Sequence, residues 1–512
     1  MRIRTSLAAM LAALLIVLTG CQAVGGVDIG EVVNRTSDLK SAETKETVSI
    51  KLDVSKDAEL TTEESQFINI INGLQLDLST KMESPDRVSS SGTIKIAGKS
   101  VLFQLAVDDK QVVVHVEGGK TPLVIPATTK EMEELDIPQL DVEQLKQFRK
   151  SMVKFFTKHA PNPKVTTVTP VTEQIFGQSQ SLSQIHMEFG ADETIGWVRS
   201  FLKSILADEQ GTKAWLTEVG KLYGPLVGQS MEAYGVSDKS TNMVKDGEVF
   251  ALIAFKWLKE NGEKSLDELD KAWTQVVKED ADMAVVLGNK TKLKLDLYAD
   301  AALNLNKTNI ELNVALPKSE DVPLSGITFK ASTEVKNHNQ PITIDKINAT
   351  NAVNVLEQSL TPGQWLRHFS PDSAVHQLLK DAGISRKYVT LPISQGKYDD
   401  WLIDGPAPFV KNGVTMVPLR YVAEHLDADV KWDNKASQAR IVEDLTGKVI
   451  IIKLNSKQVT VDGSNVAKKL DAAPVMKDST VYVPLRDIAL LLGAKVGYEK
   501  GEYMNYATVT RE

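Results

Sequence analysis

The sequence predicts an α+β protein: an antiparallel β-sheet packed with helices in an N-terminal body, then a small duplicated βαββ-like module at the C-terminus. Three observations predict it. Apolar and polar residues alternate over 47–120 and again over 290–350, the period of half-buried strands. Between those stretches, over 131–280, apolar residues recur at helical spacing. Finally, Met416-Val417-Pro418-Leu419-Arg420 returns 66 residues later as Tyr482-Val483-Pro484-Leu485-Arg486, each copy inside a longer repeat.

The chain opens on Arg2 and Arg4, an apolar run from Leu7 to Leu18, and Leu18-Thr19-Gly20-Cys21. The run is short of the roughly 20 apolar residues a membrane span needs, so it reads as an export signal over 1–20. Cys21 is the single cysteine in 512 residues. "LTGC" resembles a bacterial lipobox, which implies cleavage before Cys21, diacylglycerol on its sulfur, and a chain held at the outer face of the cytoplasmic membrane. With that thiol spoken for, disulfides, cysteine metal sites and thiol nucleophiles are excluded.

Charge narrows the partners. The chain carries 59 Lys and Arg against 67 Asp and Glu, a net −8. Residues 405–512 hold 15 basic and 13 acidic residues, so the acidity lies in the body. An acidic body argues against nucleic acid and against docking on anionic lipid by charge. The membrane partner is therefore the lipid on Cys21.

Residues 21–46, polar and without a period, read as a tether. The body is expected over 47–400. Val48, Ile50, Leu52 and Val54 share one strand face, as do Leu74, Leu76 and Leu78; Val101 to Val107 and Val112 to Val116 flank a turn at Asp108. Helices over 131–280 follow from Leu145, Phe148, Met152 and Phe155, from Ile195, Val198, Leu202 and Ile205, and from Trp215, Leu216, Val219 and Leu222. An apolar run, Phe250 to Leu258, is expected to end at Asn261-Gly262, with a capping box at Ser265-Leu266-Asp267-Glu268 opening the next helix. Strands return over 290–350, and short helices over 351–390 lead to a boundary at Asp404–Val410, rich in proline and glycine. This order is similar in layout, without a shared motif, to the LolA- and LppX-like lipoprotein carriers, in which a curved sheet wraps helices around an apolar cavity.

Aligned without gaps, Lys411–Trp432 matches Lys477–Tyr498. Each copy has a turn (Asn412-Gly413, Asp478-Ser479), a strand, a proline suited to the first helical position, one apolar helix face, and a helix stop at Asp427 or Gly493. The pattern "VKNGVTMVPLRYVAEHLDADVKWD", the spacer "IIIKLNSKQVTVDGS", and "LDAAPVMKDSTVYVPLRDIALLLGAKVGYE" closely resemble the copper amine oxidase N-terminal-like, or stalk, domain, over about 405–512. The resemblance implies a small non-catalytic α+β module of the kind carried by exported proteins of Gram-positive bacilli. It implies no copper enzyme here. Asn505-Tyr506 is followed by Ala507 where a quinone precursor needs an acid, and the seven histidines contain no His-x-His.

The other chemical candidates are local. Ser151 with Lys154 and Ser200 with Lys203 match Ser-x-x-Lys, yet both lie in amphipathic helices and lack the Ser-Asp-Asn and Lys-Thr-Gly partners. His115 with Glu117, and His368 with His376, lack a third ligand at a metal-site spacing. Arg420 and Arg486 could clamp an anion near helix starts or bond the carbonyls of adjacent turns. Their recurrence with the whole packing pattern favours the second role, with Pro418 and Pro484 fixing the joint. The resulting expectation is a non-enzymatic envelope lipoprotein without a cofactor, its stalk-type module touching cell-wall polymer or another envelope protein. A carrier or chaperone for an apolar ligand is the alternative, and a hydrolase would need a converging Ser/His/Asp cluster that the sequence does not display.

Overall fold

The computed structural model describes residues 22–108, 110–126, 142–233, 246–319, 322–358, 360–393, 407–466, 469–500 and 505–511. It divides into two compact units, Met1–Val114 with Pro126–Ile347, and His115–Ile125 with Asn348–Glu512. Both combine helices with mainly antiparallel sheet, so the α+β class holds. The call on Cys21 falls outside the described residues.

The first stretch of chain forms α1 (Ile29–Ser37), β1 (Ala42–Val54), α2 (Thr62–Asn72), β2 (Gln75–Ser84), β3 (Arg87–Ile96), β4 (Lys99–Val107), β5 (Gln111–Val116) and β6 (Leu123–Pro126). It continues with α3 (Val142–His159), β7 (Val165–Ile175), β8 (Gln178–Gly190), α4 (Thr194–Ala207), α5 (Glu209–Ala233), α6 (Gly247–Glu279) and α7 (Ala281–Val286). The last strands of the first unit are β9 (Lys292–Ala299), β10 (Leu305–Ala315) and β11 (Leu324–Lys336). Its sheet runs β5-β4-β3-β2-β1-β11-β10-β9-β8-β7.

Register turns the sequence alternation into two faces, because side chains alternate along each strand. Val101, Ile94, Leu76, Val48, Ala331, Ile310, Leu295 and Met187 form one row across eight strands. The neighbouring row on the other face is polar: Thr93, Asp77, Thr47, Ser332, Asn309, Asp296 and His186. Helix α1 covers part of the apolar face, burying Ile29 and Val32 completely against Ile185, Met187, Leu295 and Leu297. Beside it, Trp197 of α4 packs on Phe189 and Leu293. Phe155 of α3 stacks on Trp215 of α5 at 4.2 Å, which joins the helices into a layer.

Four expectations are corrected here. Much of 21–46 is folded rather than a tether. Asp28 caps α1 through Glu31 N–H, and the Ile29/Val32 spacing supplies its buried stripe. Residues 165–190 form the β7–β8 hairpin within the stretch expected to be helical, since alternating β-branched residues (Val165, Thr167, Thr169, Val171) fit a pleat. Residues 62–72 are a helix with a Thr61/Glu64 capping box inside a stretch expected to be strands. Asn261-Gly262 does not end a helix; both lie inside α6, which is 33 residues long from Gly247 to Glu279. Gly262 is there for packing: a Cβ would stand 3.1 Å from Leu202 of α4.

In the second unit β6 pairs in parallel with β12 (Val353–Asn354). Then come α8 (Pro362–His368), α9 (Ala374–Asp381), β13 (Lys387–Ile393), β14 (Phe409–Lys411), β15 (Val414–Pro418), α10 (Leu419–His425), β16 (Ala428–Asp433) and β17 (Gln438–Glu443). The chain ends through β18 (Val449–Lys453), β19 (Val459–Val461), β20 (Ser464–Asn465), β21 (Val475–Lys477), β22 (Thr480–Pro484), α11 (Leu485–Leu491), β23 (Lys495–Lys500) and β24 (Asn505–Arg511). Asn412-Gly413 and Asp478-Ser479 all have positive φ, as two-residue hairpins require, and so do the helix-stop residues Asp427 and Gly493.

The two copies meet each other. In the sheet β14-β15-β22-β21, Val417 pairs with Val483, its own equivalent, flanked by Met416↔Pro484 and Pro418↔Tyr482. Antiparallel pairing of equivalent residues places a local two-fold axis at that pair, as in an isologous dimer interface. Val417, Val483, Leu419, Leu485, Val422 and Ile488 are at most 1% exposed in one shared core. The sheets on either side differ. β16-β17 extends through β18, β19 and β20, whereas β23-β24 is completed by β13 from upstream. Val389 and Leu391 of β13 are buried in the same core, so the unit begins well before the expected boundary at 404–410.

Candidate functional site

Pro418 and Pro484 sit one step earlier than expected. Each ends a strand and stands at the helix N-cap with φ −60° and ψ of 117° or 124°, so the ring presets the turn while the residue still pairs in the sheet. Arg420 and Arg486 are exposed and do not play the expected carbonyl-bonding role. Arg420 Nη1 donates to Glu424 Oε1 at 2.8 Å, one turn on, and the Arg486 guanidinium lies 5.5 Å from the Tyr498 ring centre. Both follow a buried leucine on a short helix and therefore emerge on its outer face.

The arginine that does lock a helix end is Arg511, which sequence reasoning missed. It is 5% exposed. Its Nη1 donates to Leu426 O (2.6 Å), Nη2 to Asp427 Oδ2 (2.8 Å) and Nε to Ser385 O (3.2 Å). Lys387 of β13 reaches the other Asp427 oxygen at 2.8 Å. A cation at the last carbonyls of α10 suits the helix terminus, and the network stitches β13 and β24 to the first repeat.

On either side of the two-fold axis lies a cleft. The first, about 580 Å³, is lined by Pro418, Leu419, Arg420, Tyr421, Glu424, Trp432 and Asn434, with Met476 and Ser479–Val481 from the opposite hairpin. Trp432 Nε1 donates to Asn434 Oδ1 at 2.7 Å, which fixes the indole. The second cleft uses the equivalent positions Pro484, Leu485, Arg486 and Tyr498 with Gly413–Thr415, yet its volume is only about 110 Å³. The difference has a cause. Asp471 lines the second cleft, and its N–H donates to Asp487 Oδ2 at 2.6 Å. Among the described residues, the duplicated site is thus open in one copy and narrowed by Asp471 in the other. The size of the open cleft falls in the usual range for ligand sites. In the sequence Trp432 is marked only as a strand residue at the end of the first repeat, and nothing singles out Tyr421.

The remaining candidates resolve into structural bonds. Ser151 and Ser200 spend their hydroxyls on the carbonyls of Phe148 and Gly196 in their own helices, both at 3.0 Å. Asp108 Oδ1 accepts the N–H of Lys110 and Gln111, a turn bond. His376 Nδ1 meets Leu366 O at 3.0 Å, while His368 packs edge-on against Phe369 and burial lowers its basicity. A Ser/His/Asp grouping does exist. Buried His159 has Nδ1 3.0 Å from Ser204 Oγ and Nε2 3.2 Å from Asp208 Oδ2. However, the carboxylate is out of line for a hydrogen bond to Nε2. Asp208 is also engaged by Lys158 and by the Gly211 N–H, so it caps α5 and ties α3 to it.

Residues 403–506 match the family model for the copper amine oxidase N-terminal domain, about a fifth of the chain. That model describes the N-terminal domain of those enzymes and not the catalytic one. No curated protein matches the chain. The matched region holds both VPLR copies and both clefts and starts after β13.

Proposed function

We propose that this chain is an exported lipoprotein, anchored through diacylglycerol on Cys21 at the outer face of the cytoplasmic membrane. Its C-terminal unit is a non-catalytic binding module that contacts cell-wall polymer or another envelope protein. The observation that carries the reading is the open cleft, with an oriented indole, a tyrosine ring and an Arg420–Glu424 pair at its rim. Aromatic faces with a few fixed polar groups are the usual make-up of a recognition site. The test uses the full chain carrying Cys21→Ser, mixed with isolated envelope fraction and sedimented. Retention that falls with Trp432→Ala and not with Tyr498→Ala supports the reading; no retention, or retention indifferent to Trp432, removes it.

A second reading concerns the body. Phe329, at the middle of the apolar sheet face, is 37% exposed, and its cross-strand neighbours Ile50 and Leu312 are only half-buried. An apolar ligand held on that face would make the body a carrier. Titration with the fluorescent fatty acid cis-parinaric acid tests it: saturable binding lost in Phe329→Asp supports a carrier, and no saturable binding dismisses it.

A further inference from the structure

We propose that one rim of the curled sheet in the first unit lies on the headgroups of a phospholipid bilayer. The lipid on Cys21 holds it at one corner, and the exposed apolar side of α2 meets the bilayer at another. This rests on the anchoring reading above and adds to it the surface that faces the membrane.

The sheet has two rims because it curls. Phe176, in the β7–β8 turn, donates its N–H to Glu334 Oε2 of β11 at 2.7 Å, although the two strands stand four places apart in the sheet order. Antiparallel neighbours send alternate connections to opposite rims. The Phe176 turn, the Pro85-Asp86 turn and residues 300–304 fall on one rim. The start of β7, the turn leading into β9, the chain entering β11 and the whole of α2 fall on the other.

The anchor is tied to that second rim. Asn162, just ahead of β7, accepts the Gln22 N–H through Oδ1 and donates Nδ2 to the Gln22 carbonyl, both at 3.0 Å. Pro161 and Pro163 stiffen the backbone on either side, and Pro161 O takes the Trp197 indole N–H at 2.8 Å. Cys21 is one Cα step, about 3.8 Å, from a residue fixed in this way. Acyl chains on it therefore have no slack on which the body could turn over.

The same rim carries apolar side chains that suit a bilayer interface. Helix α2 is docked by buried Ile68 and by Asn72, whose side chain bonds both backbone groups of Leu52. Phe67 and Ile70, one turn apart on its outer side, are 60% and 38% exposed. Val165 and Val322 are exposed at this rim as well. Among the described residues, the turns of the opposite rim expose no large apolar side chain. Asp57, Glu59 and Glu63 stand among the lysines here, so the contact is apolar insertion rather than charge attraction, in keeping with the acidic body.

The lipidated full chain is reconstituted into phosphatidylcholine vesicles, a fraction of whose headgroups carry a nitroxide quencher. Cys21 is the single cysteine, so with its sulfur taken up by lipid, Gln66→Cys or Gln178→Cys supplies a unique thiol for a fluorescent maleimide. Gln66 is exposed on α2 and Gln178 is exposed at the opposite rim. Strands of this length hold the rims roughly 25–35 Å apart. Quenching is expected to be several-fold stronger at Gln66→Cys than at Gln178→Cys, and to drop when Phe67→Asp is added to the Gln66→Cys chain. Phe67 is exposed, so that variant keeps its fold. Equal quenching at the two sites, stronger quenching at Gln178→Cys, or quenching indifferent to Phe67→Asp overturns the proposal while the chain still sediments with vesicles. A chain that incorporates no palmitate and stays off the vesicles removes the anchoring reading, and this proposal with it.

Discussion

Arg511 is accommodated in the core by acceptors on each side: the carbonyls of Leu426 and Ser385, the carboxylate of Asp427 and, at 3.6 Å, that of Glu443. A buried pair of this kind adds little over an apolar substitute, but breaking it strands a charge at a cost of about 3–5 kcal/mol. Asp427→Ala is therefore expected to destabilise the second unit toward the lower end of that range, since Lys387 loses its partner while Arg511 keeps the more distant Glu443 carboxylate at 3.6 Å. Hydrogen exchange of β24 amides in the full chain would read the change as faster opening. Arg420→Ala, which removes only an exposed helix pair, is expected to leave exchange nearly unchanged. On the polar sheet face, Glu311 accepts from Asn313 and pairs with Lys330 and Lys294, which holds its carboxyl at about 2 against an ordinary 4.5. A lowered folded-state value means stability present above pH 4.5 and lost as pH falls toward 2. Glu311→Gln is thus expected to be less stable than wild type at pH 7, with the gap closing over that window in urea titrations.

Strand β13 shows how far an element's role can lie from its local sequence. It completes the sheet of the second repeat and buries Val389 and Leu391, yet it lies ahead of the matched family region. A fragment beginning at 403 should therefore unfold more readily than one beginning at 384. In the full chain, Leu391→Ala should cost about 2–5 kcal/mol, read by exchange in β24. Turns and helix stops were legible because Asn412-Gly413 and Gly493 announce positive φ directly. The alternation of β1 and β9–β11 was legible for the same local reason. What was hidden is non-local. A repeat shows that Val417 and Val483 are equivalent, but nothing in its spacing shows that they pair. Helix α1 was hidden in a polar stretch because only Ile29 and Val32 mark its buried side. The break expected at Asn261-Gly262 failed because contact with Leu202, rather than chain reversal, accounts for the glycine.

At the scale of the molecule, the proposed anchor and the proposed cleft make separate predictions. Cys21→Ser should abolish incorporation of radiolabelled palmitate and release the chain from membranes, while leaving envelope binding in place. Gln22 is already hydrogen-bonded to Asn162 through both backbone groups at 3.0 Å, so an anchor on the preceding residue would hold the body close to the bilayer. The candidate site was only half legible. The duplicated motif located it to within a few residues, but the eye fell on the arginines that recur, whereas function is argued from what differs between the copies: Tyr421 against Asp487, and an open cleft against one narrowed by Asp471. Sequence symmetry drew attention to the conserved joint, and only packing revealed where the symmetry fails.

Of the two copies, the first alone is proposed to bind. Sedimentation of the full Cys21→Ser chain with envelope fraction, run beside its Trp432→Ala and Tyr498→Ala variants, tests it most directly. Wild type and Tyr498→Ala are expected to be retained alike while Trp432→Ala stays in solution. Equal retention of all three would contradict it.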